Sequence, residues 1–126
     1  MDSRLPHSVW PLYVRADARR IPFRDGAFDT AVSGLVLCSV DDPFRALGEL
    51  RRVLAPDGTL RLLEHVRAAI GWHASLQDFA QPLWTRFTGG CRPNRDTEAA
   101  LRKMRFRVDE ETRRASGTMR RLVARP

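Results

Sequence analysis

Residues 28 to 43 read FDTAVSGLVLCSVDDP, an apolar run broken by small residues that passes into two aspartates and a proline. From Phe28 to Val36 there is no polar alternation, the pattern of a strand covered on both faces in a parallel sheet. Ser33, Gly34 and Cys38 fall within this strand-like stretch, where small side chains let a ligand pass close to the backbone. Asp42 then offers an N-cap acceptor, and Pro43 lacks an N–H that the first helical position does not use. A helix is therefore expected to start here.

Working outward, Phe44, Leu47, Leu50, Val53 and Leu54 recur at three to four residues and give that helix one buried face. Ala55-Pro56-Asp57-Gly58 carries turn chemistry. Thr59 to Val66 reads as a second strand, apolar at Leu60, Leu62 and Leu63 before the polar pair Glu64-His65. Strand, helix and strand make a βαβ unit with a right-handed crossover. Open α/β sheets built from such units bind ligands beyond the carboxyl ends of their strands. Ser33 to Cys38 and Glu64-His65 should then line one cleft.

On the amino side, residues 1–13 read as an irregular arm in which Leu12-Tyr13-Val14 is short and β-prone, and Arg24-Asp25-Gly26 is a turn. On the carboxyl side, Trp72 to Phe87 has helical spacing interrupted by Pro82, which should kink or divide it. Gly89-Gly90 closes that segment. Asn94 is placed to cap a further helix, with Asp96 and Glu98 in its first turn and Ala100, Leu101 and Met104 on its apolar face. Phe106 to Thr112 and Met119 to Ala124 read as strands of an antiparallel hairpin joined through Ser116-Gly117.

A chain of 126 residues with 43% hydrophobic content fits a single domain with one modest core. No apolar run approaches the roughly 18 residues of a spanning helix, and no secretory signal is visible, so the expected address is cytoplasmic. Cys38 and Cys91 form no metal-ligand motif in sequence and are read as free thiols, with no metal expected. Of the net charge of +7, residues 92–126 carry +6. Such asymmetry attracts polyanions, but Phe106 is the one aromatic in that stretch, so base stacking finds little support and the arginines read as a solvated face rather than a nucleic-acid surface.

Two stretches resemble a known family. ADARRIPFRDGAFDTAVSGLVLCSVDDPFRALGELRRVLAPDGTLRLLEHV, residues 16–66, is similar to the part of class I S-adenosylmethionine-dependent methyltransferases that follows their cofactor loop. LVLCSV, LLEHV and LWTRFTGGCRPNRDTEAAL (residues 83–101) resemble the thiol-methylating, methyltransferase-like branch of the methyltransferase type 11 domain. The resemblance implies an α/β fold: a partial Rossmann-like sheet, from strand three or four to strand seven, with flanking helices and a carboxyl-terminal antiparallel hairpin. It also implies S-adenosyl-L-methionine as cofactor and a small-molecule acceptor such as a thiol or a lipid.

By the same resemblance, Asp17 and Ala18 would lie near the adenine, and Ser33, Gly34 and Leu35 would pass the methionine moiety. Cys38, Glu64 and Trp84 would face the acceptor, with Trp72, Phe79 and Phe87 as further apolar wall. His65 is the candidate general base, an imidazole being suited to taking a proton from a thiol at neutral pH. Each has a plainer reading: Asp17 as a turn cap, Cys38 as a small apolar filler, His65 as a hydrogen-bonded strand end, and the aromatics as helix packing.

The family's E/DxGxGxG loop has no counterpart, since none of the eight glycines forms a GxG pair. The expectation is therefore a single incomplete domain over 1–126, truncated at its amino end and weakly active or inactive alone. Its strand at 28–36 would be left with an open edge, inviting self-association or pairing with a partner chain. A non-catalytic module that pairs through this edge is the alternative reading.

Overall fold

The computed structural model describes residues 11–66 and 71–126. The amino-terminal arm therefore lies almost wholly outside the described residues. Four strands and three helices follow: β1 (Phe28–Gly34), α1 (Pro43–Val53), β2 (Leu54–His65), α2 (Gly71–Phe87), α3 (Thr97–Lys103), β3 (Arg107–Ser116) and β4 (Met119–Arg125). They form one sheet in the order β1-β2-β4-β3, with β1 parallel to β2 and the other pairs antiparallel. This is the expected βαβ unit extended by the expected hairpin.

Helix α1 begins as its sequence dictates. The Asp42 carboxylate accepts from the Arg45 N–H at 3.0 Å, and Pro43 opens the first turn. The expected turn at 55–58 is instead absorbed into β2 as a bulge, where the register jumps from Phe28↔Leu54 to Thr30↔Thr59. Gly58 is needed for this close approach, because a Cβ there would stand 2.8 Å from the Ala55 carbonyl oxygen.

Alternation along the strands separates the two faces of the sheet. Ser33 of β1, Leu60, Leu62 and Glu64 of β2, and Leu122 and Ala124 of β4 are buried on one side. There Leu47 of α1, Leu101 of α3 and Phe106 close the core. Among the described residues the other side is bare: Val32 is 77% exposed and shares a shallow depression with Leu63, Arg61, Arg121 and Val123. This corrects the reading of 28–36 as covered on both faces. The apolar run of β1 is continuous in sequence, but α1 and α3 pack on the same side.

Three further corrections concern local structure. Leu12 and Tyr13 are 80% and 88% exposed and extend no sheet, since a β-prone triplet without a neighbouring strand has nothing to pair with. Asp96 caps α3 by accepting from the Ala99 N–H, while Asn94 donates to Asp78. Helix α2 runs through Pro82 as one element, and its aromatic stripe is not core: among its residues only Ala74 is buried, and Phe79 is 86% exposed.

Arg52 of α1 fastens the segment before β1. It pairs with Glu49 and Asp25 at 2.8 Å and donates to the Phe23 and Ile21 carbonyls, while Glu49 also accepts from the Ile21 N–H. The Arg52 guanidinium holds the Glu49 carboxyl down at about 2, from an ordinary 4.5. Stability from this group is therefore complete above pH of about 4.5 and lost as pH falls toward 2. Urea midpoints of the native chain and of Glu49→Gln should converge over that window; a gap that stays constant would contradict the linkage.

Candidate active site at the carboxyl edge of the sheet

The loop leaving β1 is held by two charged side chains, one buried and one half-buried. Glu64, at the end of β2, is 1% exposed and accepts from four donors: Ser33 Oγ at 2.9 Å, the Val36 and Leu37 N–H groups at 3.1 Å, and the Cys38 N–H at 3.2 Å. Its carboxylate thus lies beneath the loop rather than reaching an acceptor. Arg95 works from the opposite side. It donates to the carbonyls of Leu37, Val40 and Asp41. One side chain therefore gathers the loop's N–H groups and the other its carbonyls, which fixes residues 36–41 in place.

Leu35 turns the chain out of β1 with φ of 57°, a left-handed conformation that costs a branched residue energy. Gly34 beside it has open space where a side chain would stand. Ser33, Gly34 and Leu35 thus make a crest over which another group can pass close to the backbone.

Asp17 sits at the same edge. Its carboxylate is gripped by Arg19, whose Nε and second guanidinium nitrogen donate at 3.0 and 2.7 Å, and the Arg19 N–H adds a bond at 2.8 Å. These bonds hold the carboxyl at about 2, with Arg45 of the first α1 turn adding to the field. Asp41 and Asp42 act in turn on Arg19, so the 17–20 turn faces the start of α1. Ala18 packs against the core.

Under the loop, three groups converge. Cys38 Sγ and Cys91 Sγ are 3.5 Å apart, and Cys91 Sγ lies 3.5 Å from His65 Nδ1. Burial, foremost, pushes the Cys38 thiol up to about 11, so it is a protonated group in the free chain. Trp84 is half exposed on α2, on whose last turns Thr85 Oγ1 holds the Cys91 carbonyl at 3.0 Å. Sequence reading missed Arg95 and the partnership of Cys91. No spacing rule links positions 38, 65 and 91, and a lone arginine among many carries no signal.

The strand order β1-β2-β4-β3 with one parallel pair, and a structured loop at its carboxyl edge, has close counterparts. A SAM-dependent methyltransferase from Thermotoga maritima superposes with a TM-score of 0.67, at 19% identity, over 89% of this chain and 62% of that one. The family described as methyltransferase domain matches residues 2–62. Over about half of its length, the chain is thus similar to a methyltransferase domain. Human thiol S-methyltransferase TMT1B is 41% identical over 83 residues, which are 65% of this chain and 34% of the relative. Demethylmenaquinone methyltransferase of Thermus thermophilus is 48% identical over 52 residues, 41% of this chain and 24% of that protein. The chain thus spans about a third or less of the length of these two relatives.

S-adenosylmethionine is the cofactor of this family. The Ser33–Leu35 crest suits close passage of such a group, with open space above Gly34. The rest of a cradle is not encoded, because no GxG pair occurs and the Asp17 carboxylate is already closed by Arg19. Among the described residues, no helix is long and apolar enough to cross a membrane.

Proposed function

We propose that this chain supplies the acceptor-side part of a methyltransferase site whose acceptor is a small thiol or a comparably soft, apolar molecule. The observation that carries the reading is the loop at 35–41, clamped between Glu64 and Arg95 at the carboxyl edge of the sheet. When bound, S-adenosylmethionine supplies an activated methyl group on a sulfonium, and the protein contributes alignment. Ser33, Gly34 and Leu35 would hold it along their backbone, with Asp17 and Ala18 toward its adenine. Cys38, His65 and Trp84 would border the acceptor, His65 as proton acceptor, and Glu64 acts as a positioning residue beneath them. The match to a thiol S-methyltransferase is the longer one, 83 residues against 52, and favours thiols over the quinone-type acceptor of the Thermus relative.

A direct test joins residues 14–126 behind an amino-terminal segment that carries the family's E/DxGxGxG loop. The fusion should bind S-adenosylmethionine and methylate a small thiol, read by mass spectrometry. The chain alone should show no binding heat at micromolar concentrations. A folded, cofactor-binding fusion that methylates no thiol would sink the acceptor assignment, and micromolar binding by the chain alone would refute the need for a separate glycine loop.

The open edge of β1 supports a second reading, a non-catalytic module that pairs with another chain. Among the described residues β1 has a single neighbour, β2, and its bare face presents Val32. Light scattering on the purified chain separates the readings, since a clean monomer leaves this edge without a partner.

A further inference from the structure

Cys38, His65 and Cys91 come from three different elements: the loop after β1, the end of β2, and the turn after α2. Their ligand-type atoms all lie within 4.8 Å of one another, with two of the separations at 3.5 Å. Ligands on a tetrahedral zinc, with Zn–S of about 2.3 Å and Zn–N of about 2.0 Å, stand roughly 3.5 to 3.8 Å apart. Two of the three spacings therefore already approach those of an assembled site.

The backbone around each ligand is also fixed. Cys38 donates its N–H to Glu64 at 3.2 Å and accepts from the Arg92 N–H at 2.7 Å. The Cys91 carbonyl accepts from Thr85 Oγ1 at 3.0 Å, and the preceding Gly90 takes a φ of 116° that favours glycine. His65 is anchored in β2 by its pairing with Met119 of β4. Such anchoring lowers the ordering cost of bringing three ligands to one ion.

We propose that Cys38, His65 and Cys91 form a binding site for a soft divalent cation of the zinc class, with a fourth position left to water or another ligand. Two sulfurs and an imidazole select zinc or its cobalt analogue over magnesium or calcium, which prefer oxygen. Three protein ligands and an open position are the composition of catalytic rather than closed structural zinc sites. Binding would displace both thiol protons, which leave to solvent as the two Cys–metal bonds form, and it would occupy His65 Nδ1. The site shares Cys38 and His65 with the proposed acceptor side, but metal uptake is read without any methyl-transfer assay, so the two readings fail separately.

Cobalt(II) titration of the reduced full chain tests the proposal. One equivalent should produce intense thiolate-to-cobalt absorption in the near ultraviolet and tetrahedral ligand-field bands in the visible, and zinc should abolish both. Cys91→Ser and Cys38→Ser should each weaken uptake at least about tenfold, and His65→Ala by about ten- to a hundredfold, with circular dichroism confirming that each variant is folded. A folded, reduced chain without those bands would overturn the site. Uptake by folded Cys38→Ser and Cys91→Ser as strong as that of the native chain would do the same, as would a chain whose two thiols have joined in a disulfide and which takes up no metal after reduction.

Discussion

Glu64→Ala should unfold this domain more readily than any other single polar replacement near the site, lowering its stability by about 3 to 5 kcal/mol. Its carboxylate serves four donors, Ser33 Oγ and the N–H groups of Val36, Leu37 and Cys38. Each buried donor left without a partner costs about 1 to 3 kcal/mol, and water entering the vacated space recovers part of the sum. Since a domain holds only about 5 to 15 kcal/mol in total, the variant would lose roughly a fifth or more of its margin. Glu64→Gln keeps the shape and one acceptor oxygen, so it should lose about 1 to 3 kcal/mol. Urea unfolding of the three proteins decides the matter. Equal midpoints for native and alanine forms would mean that the loop is held by something other than this carboxylate.

Leu60→Ala should cost about 3 to 4 kcal/mol by a different route, cavity formation. Leu60 is fully buried in the middle of β2, where its register partners are Ala31 on one side and Ala124 on the other. Neither side chain is long enough to fill the space a removed isobutyl group leaves, so collapse is limited. Leu60→Met, nearly equal in volume, should cost less than about 1.5 kcal/mol. Thermal melts read the contrast, and similar losses for both would show that side-chain identity rather than volume controls the site.

The two predictions differ in how visible their residues are before any coordinates exist. Leu60 is one of several leucines in an obviously apolar strand, and its burial follows from pattern. Glu64 looks in sequence like a polar group facing a cleft, because an acidic residue ending a strand is ordinarily solvated. Its actual role depends on three N–H groups that the turn at Leu35 aims inward, and no sequence pattern specifies that turn. The aromatic stripe of α2 shows the reverse error. Its spacing is that of a packed helix face, yet Phe79 meets no covering element among the described residues.

The basic carboxyl-terminal third also changes meaning in three dimensions. Arg102, Arg113 and Arg120 converge on the buried Glu98 at 3.8, 2.9 and 3.6 Å, tying α3 to β3 and β4. Cations that read as a solvated face are thus partly structural. The cost of burying Glu98 explains why it has several partners.

By itself, the order of residues settled the βαβ unit, the Asp42-Pro43 helix start, the hairpin across Ser116-Gly117 and the kinship of residues 16–66 with methyltransferases. The first three rest on interactions between positions close in the chain, or on apolar periods that any packed sheet must obey, and the kinship rests on the resemblance of that stretch to the family. Tertiary structure alone decided that one sheet face is left bare by the described residues, that Glu64 and Arg95 clamp the 35–41 loop, and that Cys38, His65 and Cys91 meet. Those outcomes hang on contacts between residues 26 to 58 positions apart, whose closeness is set by how the strands stack and where the helices fall.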